Sequence, residues 1–173
     1  LVNERRQADQ GVGNMAHLTV SSPPLTTTVT SLAEDGSSFG LKLGAVTSSL
    51  TGATVTQPTG APPAVTVDLG AVNPADGDSI SFNFDLPDGT SEQITLTATT
   101  KNPPPAGSFL IGADTAATTA NLQAALTTSV QTLSDTALNT STGQSISDSL
   151  AFDLTSLGPQ VYFGFTGATG LSY

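Results

Sequence analysis

The side chains able to do chemistry in this sequence are few, and most of them are acids. His17 is the single imidazole, and nucleophilic hydrolysis would need it as the base. No Gly-x-Ser-x-Gly elbow accompanies any serine, so His17 reads as an ordinary surface or arm histidine. Six of the 14 acids fall in close pairs, Glu34 with Asp35, Asp76 with Asp78 and Asp88 with Glu92, each pair beside a glycine. Two carboxylates acting on a glycosidic bond need a cleft with aromatic platforms, yet tryptophan is absent and the tyrosines, Tyr162 and Tyr173, stand near the end. Acids beside glycine are better explained as turn formers, whose side chains bond the nearby backbone.

Calcium has the better chemical case, because Asn73-Pro74-Ala75-Asp76-Gly77-Asp78 brings several hard oxygen donors into one loop. Asp76 and Asp78 are the candidate ligands, although the twelve-residue EF-hand spacing is missing and a β-turn before a strand is the simpler reading. Ile111-Gly112-Ala113-Asp114 does not resemble a phosphate cradle, since an acid stands where the anion would sit. Asn139-Thr140-Ser141 matches the N-glycosylation acceptor pattern and makes Asn139 a candidate modification site. With no cysteine, the chain has no thiol nucleophile, disulfide framework or Cys-based metal site. The residues predict neither a catalytic set nor a cofactor, and the chain reads as no enzyme.

The wider composition agrees. Of 173 residues, 14 are acidic and 4 basic, for a formal net charge of −10. Arg5, Arg6, Lys42 and Lys101 are too scattered to neutralise a run of phosphates, which sets nucleic acid aside as a partner. No apolar window approaches the length of a membrane span, and residues 1–6 do not open a signal peptide; the sequence reads as an excised fragment of a larger protein.

These side chains need elements to hold them. Residues 1–24 read as an arm or linker, with Leu18-Thr19-Val20 able to add an edge strand. A β-rich core over 25–155 with one helix follows, then a C-terminal strand segment over 156–173. Strands are expected at 39–46, 53–56, 65–69, 79–86, 93–99 and 108–111, bounded by Gly, Pro, Asp or Asn, with further ones at 146–154 and 161–165. The hairpin 79–99 is the clearest: Ile80, Phe82, Phe84 and Leu86 alternate with polar residues, and Ile94, Leu96 and Ala98 answer across Pro87-Asp88-Gly89-Thr90. One helix is expected over about 115–138, capped by Asp114 or Thr115, with Leu122, Leu126, Val130, Leu133 and Ala137 on one stripe. The expected class is α+β, a predominantly antiparallel sheet packed against that helix, with Leu122, Leu126, Val130, Phe82, Phe84 and Ile94 in its core.

The order of pieces is also familiar. Phe39-Gly40-Leu41-Lys42-Leu43-Gly44, Leu50 to Thr56, Val65 to Leu69, the strand 78–86, the Pro87–Thr90 turn and Thr119-Ala120-Asn121-Leu122-Gln123-Ala124-Ala125-Leu126 together resemble the domain inserted in the middle of flagellins from some α-proteobacteria. The resemblance covers roughly residues 33–138. It implies a surface-exposed structural module of the flagellar filament, extracellular and tied to motility, with neighbouring subunits or extracellular surfaces as partners and no catalytic residues. The long Asn/Gln/Ala/Leu-rich terminal helices with which flagellins polymerise are absent, so polymerisation does not carry over. The alternative is a glycan- or protein-binding module of a secreted adhesin or phage tail protein, whose segments the hairpin and helix also resemble.

Overall fold

The computed structural model describes residues 2–22 and 27–141. The elements run in the order α1 (Val2–Gln10), a 3₁₀ turn (Val12–Asn14), β1 (Leu18–Ser21), β2 (Val29–Glu34), β3 (Lys42–Ser48), β4 (Thr54–Val55), β5 (Ala64–Asp68), β6 (Ser79–Asp85), β7 (Ser91–Thr99), β8 (Ser108–Leu110) and α2 (Thr115–Ser141). The expected strands at 146–154 and 161–165, and the C-terminal segment, lie outside the described residues.

The architecture is α+β, as the periodicities predict, but the strands divide between two four-stranded sheets ordered β1-β2-β5-β4 and β3-β6-β7-β8. Among the described residues every ladder is antiparallel except β7 with β8, which run parallel. The link over 100–107 can be short because β8 returns only as far as Thr97, which stands opposite Ser108. The hairpin has the expected register, with Ile80 opposite Leu96 and Phe82 opposite Ile94. Its connection closes through the Gly89 N–H on Leu86 C=O and the Leu86 N–H on Thr90 C=O, with Gly89 at φ 83°. On the outer face Ser81 and Thr95 share a hydroxyl bond of 2.8 Å, and the Gln93 amide donates to Asn83 Oδ1.

α2 is the shared wall, touching β7 and β8 of one sheet and β1 and β2 of the other. Leu122, Leu126, Val130 and Leu138 are fully buried, while Leu133 and Ala137 of the expected stripe are only partly covered. Burial follows steps of four, a line that winds slowly around a 3.6-residue helix and lets one helix meet two sheets in turn. Phe82, Phe84, Leu96 and Phe109 fill the facing side. The threonines that would weaken α2 bond back to the preceding turn: Thr118 Oγ1 to Asp114 C=O, Thr119 to Thr115 and Thr127 to Gln123, at 2.8–2.9 Å. The hydroxyls of the buried Thr118 and Thr119 are thereby satisfied.

Asp114 is the cap: its Oδ1 accepts the Ala117 N–H at 2.7 Å, and its carbonyl accepts the Thr118 N–H. Asp114→Ala leaves that first-turn donor to water and is expected to lower stability by about 1 kcal/mol in urea unfolding, with an unchanged denaturant slope.

The N-terminal segment departs from expectation. The sequence suggests an arm or linker over 1–24; its described residues 2–22 instead pack on the body, α1 beside α2, Ala16 and Leu18 in the core, and β1 paired with β2 from Leu18 opposite Glu34 to Ser21 opposite Ser31. The edge strand at 18–20 is thus part of the first sheet. α1 was illegible because its sequence is almost wholly polar and its docking rests on hydrogen bonds rather than on an apolar stripe. The Gln10 amide donates to Asp135 Oδ1 at 3.3 Å, and Ser22 Oγ donates to Gln123 Oε1 at 2.7 Å. β3 also starts later than expected, at Lys42, because residues 37–40 turn so that Gly40 can meet the α1 segment.

Candidate functional site

The acids singled out by the sequence sit at the ends of strands and hold turns. Asp78 Oδ2 accepts the N–H groups of Thr51 and Ala75 at 2.8 and 2.9 Å. Asp76 Oδ1 accepts the Thr100 N–H at 2.8 Å and its hydroxyl at 3.3 Å. The two carboxylates therefore reach toward different strand ends, Asp78 after β3 and Asp76 after β7. The Thr100 N–H beside Asp76, and those of Thr51 and Ala75 beside Asp78, hold both carboxyls below the usual range. Asp88, across the hairpin turn, takes the Thr90 hydroxyl at 2.6 Å and its N–H at 2.9 Å, and the hydroxyl bond foremost lowers its pKa too. Glu92 is exposed on β7 opposite Phe84. Among the described residues, no group of three His, Cys, Asp or Glu side chains is placed to hold a metal ion.

Glu34 and Asp35 separate despite adjacency, because the strand alternation turns Glu34 inward and the chain then leaves the sheet. Glu34 is buried; its Oε1 accepts the Leu43 N–H at 2.8 Å and its Oε2 lies 3.3 Å from Lys42 Nζ, which also donates to Ser37 C=O. Gln57 does similar work on the same strand: its Oε1 accepts the Val46 N–H and its Nε2 donates to Val46 C=O, at 3.0 and 2.6 Å. The sheets are thus joined at β3 by side chains instead of a backbone ladder. A third polar knot links Asn73, Gly112 and Thr118: the Gly112 N–H donates to Thr118 Oγ1, and the Asn73 amide donates to Gly112 C=O. Glu34 and Thr118 are buried, Asn73 is half-buried and Gln57 is exposed, and each ties together segments that the strand ladders leave apart. No local pattern marks them, since their partners are remote in sequence.

His17 is not a free surface residue. Its ring lies between α1 and the turn after β2, Nε2 2.5 Å from Ala8 C=O and Nδ1 2.6 Å from Asp35 Oδ2. No serine hydroxyl bonds to it among the described contacts. Asn139 falls in the last turn of α2, and Tyr162 and Tyr173 lie outside the described residues.

A shallow groove of about 410 Å³ runs between α2 and the proline turn leading into β8, lined by Pro104, Pro105, Phe109, Asn121, Ala125 and Thr128 among others, none of them ionisable. The Asn121 amide is already given to Leu110 C=O at 2.9 Å. No helix among the described residues is long and apolar enough to cross a membrane. No protein-family model, curated protein or solved structure matches this chain.

Proposed function

We propose that this chain is a non-enzymatic structural module, displayed outward on a bacterial filament as the central insert of a flagellin. The observation that carries the reading is the employment of its polar groups: Asp35, Asp76, Asp78, Asp88, Asp114, Glu34 and His17 are all engaged in holding turns, strand edges or helix ends. A net charge of −10 adds mutual repulsion between copies.

The competing reading, a glycan- or protein-binding module, would use the groove beside α2. Sugar hydroxyls need several convergent polar partners; the Asn121 amide and the Thr128 hydroxyl there are already given to Leu110 C=O and Ala124 C=O, and apart from Ser108 and Ser129 the remaining side chains of the lining are apolar. Display therefore accounts for more of the molecule.

Antibodies raised against the 173-residue chain are expected to decorate the filament shaft in electron microscopy of the source cells. Bare filaments beside labelled cell bodies would overturn the assignment.

A further inference from the structure

α1 offers the body almost no apolar side chain. Its residues 3–10 read Asn-Glu-Arg-Arg-Gln-Ala-Asp-Gln, and the links that hold it include the Gly40 N–H on Asp9 Oδ1, Gln10 on Asp135, and His17 on Ala8 C=O. The His17 link is the shortest of the three. The other nitrogen of the same ring holds Asp35.

Both of the ring's neighbours are acceptors. A carbonyl oxygen cannot donate, and Asp35 is held below the usual carboxylate range by the bond from His17 foremost and then by the Ser37 N–H. A neutral imidazole carries one N–H, so only the imidazolium makes both contacts. The Ala8 carbonyl belongs to the last turns of α1, where the helix dipole also favours a cation. The ring lies against Gly11, with no side chain between them, and its backbone is fixed at φ 65° between the Ala16 N–H on Gln10 C=O and the Asp35 N–H on His17 C=O.

We infer that His17 is a pH-operated latch: as imidazolium it fastens α1 to the turn after β2, and on losing its proton it releases α1 while both sheets stay folded. The charged groups on the elements packed about it are Asp35 on the turn, Lys42 on β3 paired with Glu34, Glu4, Arg5, Arg6 and Asp9 on α1, with Arg5 and Asp9 3.7 Å apart, and Asp135 on α2 engaged by Gln10. His17 is the only histidine, and imidazole alone among ordinary side chains titrates across the neutral range.

Burial pulls the His17 pKa down and Lys42 adds a little, but the bonds to Asp35 and Ala8 with the Asp35 charge outweigh them and leave it raised. A raised folded-state value gives a contribution fully present below the unfolded value and lost as pH climbs through the folded one. Asp35 works in the opposite sense, its lowered value giving a contribution lost only as pH falls through it. The latch is closed between the two.

The test is NMR on the labelled 173-residue chain, following the His17 Cε1–H shift and amide exchange in α1 from acid to mildly alkaline pH. His17 is expected to titrate above the ordinary value of ~6.5. Protection of the α1 amides, corrected for base catalysis, is expected to drop about tenfold through the same midpoint while β6 and β7 hold. In Asp35→Asn the midpoint should fall and the release of α1 should move with it. A midpoint at or below ~6.5, α1 protection that ignores the midpoint, or an Asp35→Asn variant identical to the parent would each overturn the latch.

Discussion

Leu126→Asp is expected to abolish cooperative thermal unfolding. Leu126 is fully buried at the middle of the α2 line, between Leu122 and Val130. The substitution removes an apolar contribution of about 2 kcal/mol and leaves a carboxylate with no partner in an apolar site. That burial costs several kcal/mol more unless the group takes up a proton. Against a total stability of about 5–15 kcal/mol for a domain of this kind, the sum is enough to dissolve the contact between α2 and both sheets. Circular dichroism melting gives the readout, with Leu126→Met as the shape-tolerant control, expected to cost less than about 1.5 kcal/mol. A melting curve for Leu126→Asp that matches the parent would refute the packing of α2.

The second large effect is expected far from α2, at Gly40→Ala. Gly40 has φ 79°, and a methyl there would run into the Ala16 carbonyl, 2.8 Å from its carbon and 3.0 Å from Asp9 O. The Ala16 oxygen cannot simply step aside, because it accepts the Leu41 N–H at 3.1 Å. Left-handed strain and the displaced backbone together should remove about 3 kcal/mol. Gly36→Ala separates the two contributions: φ is 83° there, but the nearest atom to the methyl is Pro62 Cβ at 3.9 Å, so only the strain of about 1 kcal/mol remains. Urea midpoints of the two variants measure the difference. Equal midpoints would mean that residues 9–16 do not press on Gly40, and the N-terminal segment would then be the loose arm its sequence suggests.

The contrast between these positions explains what could be read in advance. Phe82, Phe84, Ile94, Leu122, Leu126 and Val130 announced themselves because their burial repeats with the period of a strand or a helix, and all are buried as that period requires. The Pro87–Thr90 turn and the Asp114 cap were legible for the same reason, since each depends on neighbours within a few residues. α1 and the side-chain joint at β3 were not. Asp9 meets Gly40, Gln57 meets Val46 and Asn73 meets Thr118 across stretches that no local pattern spans. Likewise the division into two sheets follows from which strands pair, and alternation within a strand fixes its faces but not its neighbours. Among the candidate site residues, Asp76 and Asp78 were correctly placed in a turn by their company with Gly77, whereas the bridging position of His17 has no signature in residues 1–24.

The side-chain closure of β3 has a consequence for crowding. β3 is a border strand of its sheet, and such a border would ordinarily offer its backbone to a strand from another molecule. Gln57 occupies both hydrogen-bonding groups of Val46, and Glu34 occupies the Leu43 N–H. A second chain arriving there would have to displace bonds already made within its host before it gained any. Molecules held at high local density would collide often along this side and part again, so that close spacing need not lead to fibrous adhesion.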